Sequence, residues 1–589
     1  MTKQGESCQI DITGITEEGA GVGHLGGMAV FCPGLLPGEQ AEVRLTKVKK
    51  SYAIGKMLRL LRTSPDRILP ECDSAAQCGG CTFRHMDYSA QLSMKQQRVA
   101  DCLQRIGGLS PDILPIRGME SPFRYRNKAI YPFTVSAGQV KCGFYASNSH
   151  RLIPIVHCLN EDPRAAAVRE TVTAFLQQYG ISIYDETAHR GLVRHLMVRT
   201  ASCAEDTMAV LVINGKTLPH CREFIRRLAE NCPFVTSVYL NVNQRASNTV
   251  LGEEYQLLSG TEYLRDKIGD VCFDISPASF YQVNPLQTKV LYDTVLQFAD
   301  LRRQAHIWDI YCGIGTIGIY LAAAQQAAGQ PVAHLVGIEY HPRAVRDAAR
   351  NAACNAIMNA EFYAGDAAVL TPALLAGSGT GSRAGSILPC PADTPCPAGG
   401  STPESRRPDL IIVDPPRKGC DPVLIETIVQ ASPAKLIYVS CNPATLARDL
   451  KAFCGNGFQC EKVQPVDMFP WTGHVETIVL LSHKSPDSHI NMKVEFREGE
   501  RKVPLDAIAE QAKKYQPKPK ITYKMIQDYV ERKYGFIVHT AYIAEVKRSL
   551  GLTIYDAPNA VEELKQPRKR PPKEKVEAIK DAIKYYEVI

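Results

Sequence analysis

The chain has 589 residues, of which 45% are hydrophobic and 22% charged, as in an ordinary soluble globular protein. At roughly 150 residues per domain, this length predicts three to five domains. The composition excludes a collagen-like or wholly disordered chain, and no apolar run approaches the roughly 18 residues that cross a bilayer. Because MTKQGESCQIDI lacks a basic region followed by an apolar core, we expect no signal peptide, no membrane contact and a cytoplasmic location.

The positive charge is concentrated near the C-terminus. The chain has 68 Lys and Arg against 61 Asp and Glu, giving +7. Residues 490–589 alone hold 21 basic and 15 acidic residues, giving +6 and leaving +1 for the rest. A basic segment on a nearly neutral body suggests contact with a polyanion, although a solvated charged tail explains the charge equally well.

Residues 1–62 are predicted to form a small β-barrel. Short alternating segments, such as CQIDITGIT and SYAIGKMLRLL, are separated by glycine and proline turns. The stretch resembles a TRAM domain, an OB-like RNA-binding barrel found on RNA-modifying enzymes. A purely structural barrel would show the same pattern.

The following residues predict two further domains. Residues 63–265 mix short strands with helices, including a helix at 89–107 and a strand pair at 126–145, and predict a central α+β domain. In residues 266–485, apolar strands such as AHIWDIY and PDLIIVDPP alternate with helical stretches, which predicts a parallel, doubly wound α/β sheet. The Gly/Ser/Pro-rich residues 376–408 are expected to form a flexible surface insertion.

The C-terminal residues 490–589 are predicted to form a basic, mainly helical module. ITYKMIQDYVERKYG and TAYIAEVKRSLG each place apolar residues near one helical face. The proline-rich PRKRPPKEK at 567–575 is basic enough to lie along phosphates. We therefore expect this module to bind nucleic acid, or else only to cover part of the body.

A glycine turn predicts the cofactor site. In DIYCGIGTIGIYLA at 309–322, Gly313 and Gly315 let the backbone approach a ligand at the end of a strand. The next strand ends on Glu339, placed to accept hydrogen bonds from ribose hydroxyls, and Asp366 and Asp414 follow later strands. This succession resembles the class I S-adenosylmethionine-dependent methyltransferases. A nicotinamide dehydrogenase fits less well, because of the prefix DIYC and the later DPPR.

A cysteine and a glutamate are candidates for the catalytic pair. In YVSCNPATLARD, Cys441 lies between a strand and a helix, whose N-terminal dipole is expected to favour a thiolate. In TGHVETIVLLS, Glu476 directly precedes the final strand. A thiolate that adds to carbon 6 of uracil makes carbon 5 nucleophilic, and a base must later remove the carbon 5 proton. Taken alone, Cys441 fits a core cysteine and Glu476 a surface carboxylate.

Together with SPASFYQVNPLQ at 276–287, DIYCGIG and DPPRKG, these motifs resemble the RNA uracil-5 methyltransferase family over about residues 8–483. The resemblance implies that Gln282 contacts the cofactor and that Asp414 lies between the cofactor and the target base. It also implies a class I methyltransferase fold for residues 266–485. The cofactor positions that it implies are Gln282, Tyr311, Gly313, Gly315, Thr316, Glu339, Asp366 and Asp414.

Four cysteines are candidates for a metal site. PECDSAAQCGGCTFRH spaces Cys72, Cys78 and Cys81 closely, and Cys158 is available as a fourth ligand. The arrangement resembles the ligand set of a [4Fe–4S] cluster in the ribosomal-RNA branch of the family. Four thiolates also suit tetrahedral zinc, and their spacing does not separate the two.

Basic residues interleaved with aromatic ones predict contacts to RNA. SPFRYRNKAIYPF places Arg124, Arg126 and Lys128 around Tyr125, and YDETAHRGLVRHLMVRT adds Arg194. Cations for phosphates and aromatic rings for stacking suit single-stranded RNA. A solvated strand face explains each segment separately.

The sequence thus predicts an S-adenosylmethionine-dependent enzyme that methylates carbon 5 of a uridine in RNA. The barrel and the four cysteines favour 23S ribosomal RNA, because the compact tRNA enzymes of the family lack both. A tRNA methyltransferase, an enzyme that methylates an exocyclic amine and a non-catalytic RNA-binding assembly factor are the alternatives. We expect RNA as the partner and a monomer without an obligate protein partner.

Overall fold

The computed structural model describes residues 3–376, 407–483, 523–550 and 572–585. The chain divides into two compact units, Met1–Ser485 and Pro486–Ile589. Most of the predicted insertion and the first half of PRKRPPKEK lie outside the described residues. Across the described ranges, none of the helices combines the length and the apolar character that a bilayer crossing requires.

The N-terminal strands form the predicted closed barrel. The strands are β1 (Ser7–Ile15), β2 (Ala20–Leu25), β3 (Met28–Pro33), β4 (Gln40–Val48) and β5 (Tyr52–Arg62). They close in the order β1-β2-β3-β5-β4, with alternate side chains such as Ile10 and Val43 buried inside. Position 23 requires glycine, because a Cβ atom there would lie 2.5 Å from the carbonyl oxygen of Asp11.

A mixed sheet with two helices follows the barrel. After α1 (Tyr88–Cys102) and β6 (Asp112–Ile113), its elements are β7 (Lys128–Ser136), β8 (Gln139–Tyr145), β9 (Leu152–Pro154), α2 (Pro163–Gln178), β10 (Val193–Thr200), β11 (Thr207–Ile213), α3 (Cys221–Asn231), β12 (Val235–Val242) and β13 (Glu254–Gly260). The strand order is β13-β12-β11-β10-β7-β8-β9. This sheet positions the segments that carry the cysteines.

Strands β10 and β11 are buried on both faces. Leu196 and Val198 belong to the core shared with helices α2 and α3. Met197 and Met208 belong instead to the core of the sheet that follows in the chain. Because side chains alternate along a strand, β10 joins two cores, and polar residues on it are enclosed.

The remaining residues of the first unit form a two-stranded hairpin, β14 (Leu264–Ile268) and β15 (Val271–Ile275), and a doubly wound sheet. The elements that follow the hairpin are α4 (Pro285–Ala299), β16 (His306–Ile310), α5 (Thr316–Ala327), β17 (His334–Glu339), α6 (Pro342–Cys354), β18 (Ala360–Ala364), α7 (Ala367–Leu375), β19 (Leu410–Val413), α8 (Pro422–Ala431), β20 (Lys435–Ser440), α9 (Pro443–Gly455), β21 (Phe458–Val466) and β22 (Glu476–His483). The strand order is β18-β17-β16-β19-β20-β22-β21-β6. The strands from β18 to β20 run parallel, and β22 is antiparallel to both neighbours. The predicted Rossmann-like fold is thereby confirmed.

The structure does not separate the central domain from the doubly wound domain at residue 265, where the sequence predicts the boundary. Strand β14 crosses residue 265, and β6 pairs with β21 at the edge of the doubly wound sheet. Val99 of α1 and Leu103 are fully buried in the same core as Trp308. Part of the predicted central domain is therefore built into the doubly wound body, because its apolar side chains complete that core.

The C-terminal unit has its own apolar core. Its described helices are α10 (Tyr523–Tyr534), α11 (Thr540–Ser549) and α12 (Lys573–Tyr585). Ile526, Ile543 and Ile579 are fully buried between them. The carboxylate of Asp581 accepts hydrogen bonds from the Tyr534 hydroxyl at 2.9 Å and from Lys533 Nζ at 2.8 Å, which ties α12 to α10.

Candidate active site and cysteine cavity

The candidate active site lies where the strand order of the doubly wound sheet reverses. Strand β16 pairs with β17 on one side and with β19 on the other. Tyr311 directly follows β16, and Asp414 directly follows β19. The carboxyl ends of parallel strands form a ligand-binding crevice at such a point.

The glycine turn after β16 has an open backbone. Tyr311, Gly313 and Gly315 have positive φ angles of 68°, 57° and 82°, so the turn depends on left-handed residues. No atom lies within 4 Å of where a Gly313 side chain would begin. The Gly313 N–H donates to Glu339 Oε2 at 3.2 Å, which brings this predicted cofactor residue to the turn.

Helix α5 packs closely on β16 because residue 318 is glycine. The Gly318 N–H donates to Asp309 Oδ2 at 2.8 Å. A Cβ atom at position 318 would lie 2.9 Å from the same oxygen and 2.8 Å from Leu335. Burial raises the pKa of Asp309 to about 7, and the hydrogen bond from the Gly318 N–H opposes this shift.

The other predicted cofactor residues make local hydrogen bonds. Thr316, the first residue of α5, accepts a hydrogen bond from the Tyr292 hydroxyl at 2.7 Å. The Asp366 carboxylate caps α7 by accepting from the Ala368 N–H at 2.8 Å. The carbonyl of Gln282 accepts from Asn127 Nδ2 at 3.0 Å.

The antiparallel pairing of β20 and β22 brings Cys441 and Glu476 together. Ser440 of β20 is paired with Thr477 of β22. Because the two strands are antiparallel, Cys441, which follows Ser440, lies opposite Glu476, which precedes Thr477. Cys441 also precedes Asn442, which caps α9 by accepting from the Ala444 N–H at 3.1 Å. The predicted pair is therefore adjacent, although 35 residues separate its members in the chain.

The expectation of a readily formed thiolate at Cys441 is wrong for the free protein. Burial raises the pKa of the thiol to about 11, and the negative charges of Glu476 and Asp414 act in the same direction. The positive charge of Arg417 opposes them. Desolvation and the two carboxylates thus outweigh the dipole of α9 at this position.

The carboxylates of the crevice raise one another's proton affinity. Burial, followed by the charge of Asp414, raises the pKa of Glu476, and Arg417 opposes this shift. Burial and the charge of Asp309 raise the pKa of Asp414. Tyr292, which lies near both Asp414 and Glu476, has a pKa raised well above its usual range by burial. Burial and mutual repulsion thus favour the protonated forms of these carboxyl groups, and a cationic ligand beside them would favour their ionised forms.

The loop before Glu476 is held by buried polar contacts. Lys95 Nζ donates to Asp467 Oδ1 at 2.6 Å, and neither side chain is exposed. Asn284 Nδ2 donates to the Met468 carbonyl at 3.1 Å, and Gln287 Nε2 donates to that of Asp467 at 3.0 Å. The QVNPLQ segment thus anchors the loop from which β22 begins.

Three residues near the pair were missed by the sequence analysis. Tyr292 occupies an ordinary apolar position of α4, so no local pattern singles it out. Arg417 and His474 lie within the quoted segments DPPRKG and TGHVE, and their side chains approach to 3.3 Å. Only the tertiary structure brings these two segments together.

The four predicted cysteines line one cavity of about 400 Å³. Among the described residues, no three His, Cys, Asp or Glu side chains converge closely enough to hold a single metal ion. The thiols of Cys72, Cys78, Cys81 and Cys158 nevertheless line the same cavity. Four thiolates in one cavity suit either an iron–sulfur cluster or a zinc ion.

Positive groups line the same cavity. Arg84 is 4% exposed, and its Nε and Nη1 atoms have no hydrogen-bond partner in the described part of the chain. Burial and the charge of Arg199 lower the pKa of Lys128 to about 7. Unpaired buried donors are costly, so these residues fit a negatively charged group such as a cluster bound by four thiolates.

Two predicted RNA contacts are wrong in this structure. Tyr125 is 3% exposed, and its hydroxyl donates to the Pro470 carbonyl at 3.0 Å. Arg194 is 5% exposed and donates to the carbonyls of Asn243 at 3.0 Å and Arg245 at 2.7 Å. Both residues are buried by tertiary contacts, which a local pattern of basic and aromatic residues does not reveal.

The other predicted RNA contacts have different surroundings. Arg126 and Lys128 line the cysteine cavity. Arg124 is exposed and has a positive φ angle of 51°. Its N–H donates to the Leu159 carbonyl at 2.8 Å, so its backbone is tied to the segment that carries Cys158.

The chain matches three family models. Residues 403–484 match the model described as tRNA (Uracil-5-)-methyltransferase, residues 301–378 match a methyltransferase domain, and residues 2–58 match the TRAM domain. These matches confirm the predicted barrel type and the class of fold. The fold and the models together define a methyltransferase with an N-terminal TRAM barrel.

Relatives along most of the chain define the family. An "uncharacterized RNA methyltransferase" of Halalkalibacterium halodurans is 42% identical over 478 residues, which cover 81% of this chain and 97% of that one. One of Clostridium tetani is 39% identical and covers 82% and 97%. The solved tRNA (uracil-54, C5)-methyltransferase of Pyrococcus abyssi, in complex with S-adenosyl-L-homocysteine, has a TM-score of 0.60 at 25% identity, covering 80% of this chain and all of that one. The chain belongs to the RNA (uracil-5-)-methyltransferase family.

The raised pKa of Glu476 predicts a pH-dependent stability difference. Since the folded protein binds this proton more tightly than the unfolded chain, the wild type loses stability as pH rises through the folded-state pKa. Glu476→Gln removes that loss. We expect the free energy of unfolding of Glu476→Gln, relative to that of the wild type, to rise by about 1–3 kcal/mol between pH 6 and pH 9. Thermal unfolding at both pH values measures it.

Glu461→Gln is the matched control, because Glu461 is an exposed carboxylate on the neighbouring strand β21. This control should melt like the wild type at both pH values. A pH-independent effect of Glu476→Gln would contradict the raised pKa.

Proposed function

We propose that this enzyme methylates carbon 5 of a uridine in 23S ribosomal RNA, acting as a monomer, with Cys441 as the nucleophile and Glu476 as the base. The observation that carries the mechanism is the adjacency of these two side chains at the ends of β20 and β22. A base beside a nucleophilic cysteine is what addition to carbon 6 and removal of the carbon 5 proton require.

The residues of the crevice suit S-adenosylmethionine, which supplies the methyl group. The open turn at Gly313 and Gly315, the carboxylate of Glu339 and the residues Gln282, Tyr311, Thr316, Asp366 and Asp414 would hold it. Its positive charge would favour the ionised forms of the carboxyl groups in the crevice. The solved Pyrococcus abyssi relative holds the demethylated form of this cofactor, which supports the assignment.

The chemistry of Cys441 begins when its thiol proton is released to water and the sulfur bonds to carbon 6 of the uracil. The electron pair of the carbon 5–carbon 6 double bond then makes carbon 5 nucleophilic, and carbon 5 takes the methyl group. Glu476 must next remove the remaining carbon 5 proton. The double bond re-forms, the carbon–sulfur bond breaks and Cys441 leaves as a thiolate.

The pKa values of the free protein imply that ligand binding prepares the pair. With a pKa of about 11, Cys441 is a thiol at neutral pH, and the raised pKa of Glu476 favours its protonated form. A cationic ligand in the crevice favours ionised groups around it. The pair is thus more reactive when the site is filled, whereas in the free protein only a small fraction of Cys441 is thiolate.

Cys441→Ala should lose turnover by at least about 10³-fold, because no other group adds to carbon 6. It should also fail to form the covalent adduct that the wild type forms with 5-fluorouridine RNA, in which carbon 5 carries no removable proton. Denaturing gel electrophoresis measures the adduct, and titration calorimetry checks that cofactor binding is retained. Glu476→Gln should instead accumulate a methylated adduct.

The control for this experiment is Cys454→Ala, at the other end of the helix that Cys441 precedes. An active Cys441→Ala variant would exclude the mechanism. Methyl transfer to tRNA but not to unmodified 23S RNA would favour tRNA as the substrate, which is the alternative that the Pyrococcus abyssi relative suggests. A product methylated on an exocyclic amine, or no methyl transfer at all, would favour the other two alternatives.

We propose that Cys72, Cys78, Cys81 and Cys158 bind a [4Fe–4S] cluster. The positive lining of the cavity between the four thiols supports a cluster over zinc. Methyl transfer requires no redox step, so the cluster is expected to hold the surrounding segments in place. Burial raises the pKa of Cys158 to about 11, and metal binding would have to displace its proton.

Anaerobically purified protein should be brown and contain about four irons per chain. Cys81→Ser should lose most of this iron, whereas Cys203→Ser, at an exposed cysteine outside the cavity, should keep it. Elemental analysis and the visible spectrum measure both. One zinc per chain without iron would refute the cluster.

We propose that the C-terminal unit adds affinity for RNA, on the basis of the +6 charge of residues 490–589. Truncation after Ser485 should weaken RNA binding and flatten its salt dependence, by a little under one log unit per log of salt for each phosphate that the unit neutralises. Filter binding at several salt concentrations measures the slope. An unchanged slope with a lower melting temperature would show that the unit only covers the body.

A further inference from the structure

Arg417 connects the segments that carry the nucleophile and the base. Its carbonyl accepts hydrogen bonds from Asn442 Nδ2 at 3.3 Å and Thr445 Oγ1 at 3.2 Å, directly after Cys441. Its Nη2 atom lies 3.3 Å from Nε2 of His474, two residues before Glu476. The backbone of Arg417 is therefore tied to the segment after Cys441, and its guanidinium contacts the segment before Glu476.

The barrel holds the other side of His474. Nδ1 of this imidazole lies 2.9 Å from Oε1 of Glu17, which belongs to the loop between β1 and β2. Arg98 contacts the same carboxylate and donates to the Gly473 carbonyl at 2.8 Å. The barrel loop also packs against the Gly473 backbone so closely that a Cβ atom there would collide with the Glu17 carbonyl.

These contacts fix the imidazole in one tautomer. Arg417 can only donate, so Nε2 of His474 must be the acceptor in their hydrogen bond. The ring proton is then on Nδ1 and is donated to Glu17. A carboxylate that fixes the tautomer of a histidine in this way orients the group bonded to the other nitrogen.

The charge of Arg417 acts on both catalytic groups. It opposes the rise in pKa of Cys441 and also that of Glu476, since burial and neighbouring carboxylates disfavour their ionised forms. Arg417 is otherwise exposed, and an exposed arginine without a fixed partner samples many rotamers. Its effect on the pair therefore depends on what holds the guanidinium in place.

We propose that Glu17 of the barrel, acting through His474, positions the Arg417 guanidinium beside Cys441 and Glu476, so that the barrel contributes to the rate of methyl transfer and not only to RNA binding. The inference rests on the proposed roles of Cys441 and Glu476. Glu17 and His474 are positioning residues in this arrangement, because they act through Arg417.

Alkylation of Cys441 by iodoacetamide tests the proposal on the full-length protein without RNA or cofactor. Mass spectrometry of the Cys441 peptide gives its rate separately from those of the other cysteines. A loss of about 0.5–1 pKa unit of thiolate stabilisation makes alkylation about three- to tenfold slower at fixed pH. We expect this loss in Glu17→Gln and Arg417→Gln and a smaller one in Arg417→Lys, which keeps the charge.

Glu42→Gln is the matched control, because Glu42 is a half-exposed carboxylate of the same barrel that pairs at 3.8 Å with the exposed Arg59. Turnover then separates positioning from RNA binding. Glu17→Gln should lower kcat with little change in KM for RNA, whereas Glu42→Gln should match the wild type. Glu17→Asp, which retains the charge, should recover part of kcat.

A normal kcat in Glu17→Gln overturns the proposal, whatever the alkylation rate, and so does a rise in KM alone. If Glu17→Gln does not fold, His474→Gln gives the same readouts from the other end of the contact. Failure of the proposed function can be distinguished from failure of this inference. In that case the wild type itself would transfer no methyl group to RNA, and the alkylation rates of the variants could still be compared.

Discussion

The buried ion pair between Lys95 and Asp467 is the constraint on which the active site depends. It joins α1 to the loop before β22, at 2.6 Å and without exposure of either side chain. Burial lowers the pKa of Lys95, and the charge of Asp467 opposes this. Removing one partner of such a pair leaves an uncompensated buried charge, at a cost of about 3–5 kcal/mol. Loss of either side chain would therefore destabilise the fold. The intact pair holds the loop after which β22 begins at Glu476.

The active site itself is electrostatically unfavourable in the free protein. Asp309, Asp414 and Glu476 lie in one crevice, and burial raises the pKa of each. The rest of the fold must supply the stability that this arrangement lacks, and the fully buried cores on both faces of the sheet do so. A cationic ligand relieves the repulsion, so binding and ionisation are linked. The same carboxylates that would attract the cofactor also keep Cys441 protonated until then.

The sequence predicted the fold, and it offered Cys441 and Glu476 as the proposed catalytic pair, because strand ends carry local patterns. Each of Glu339, Asp414 and Cys441 lies at or directly after an apolar strand, and such residues converge at one edge of a parallel sheet. The burial of Tyr125 and Arg194 could not be predicted, because it depends on which layers cover the central sheet. The raised pKa of Cys441 was missed for a related reason, since it arises first from burial and then from the charges of Glu476 and Asp414, which only the tertiary structure brings close.

Three distant parts of the chain meet on the loop before Glu476. Glu17 of the barrel contacts His474, and the guanidinium of Arg84, which lines the cysteine cavity, lies 4.3 Å from the ring of Trp471. Asn160 accepts a hydrogen bond from Arg84 and donates one to Cys81 Sγ at 3.2 Å. The cysteine segment and the catalytic loop are therefore parts of one packed structure. Because the loop before the proposed base is held from several sides, the barrel and the central sheet are structural components of the candidate active site.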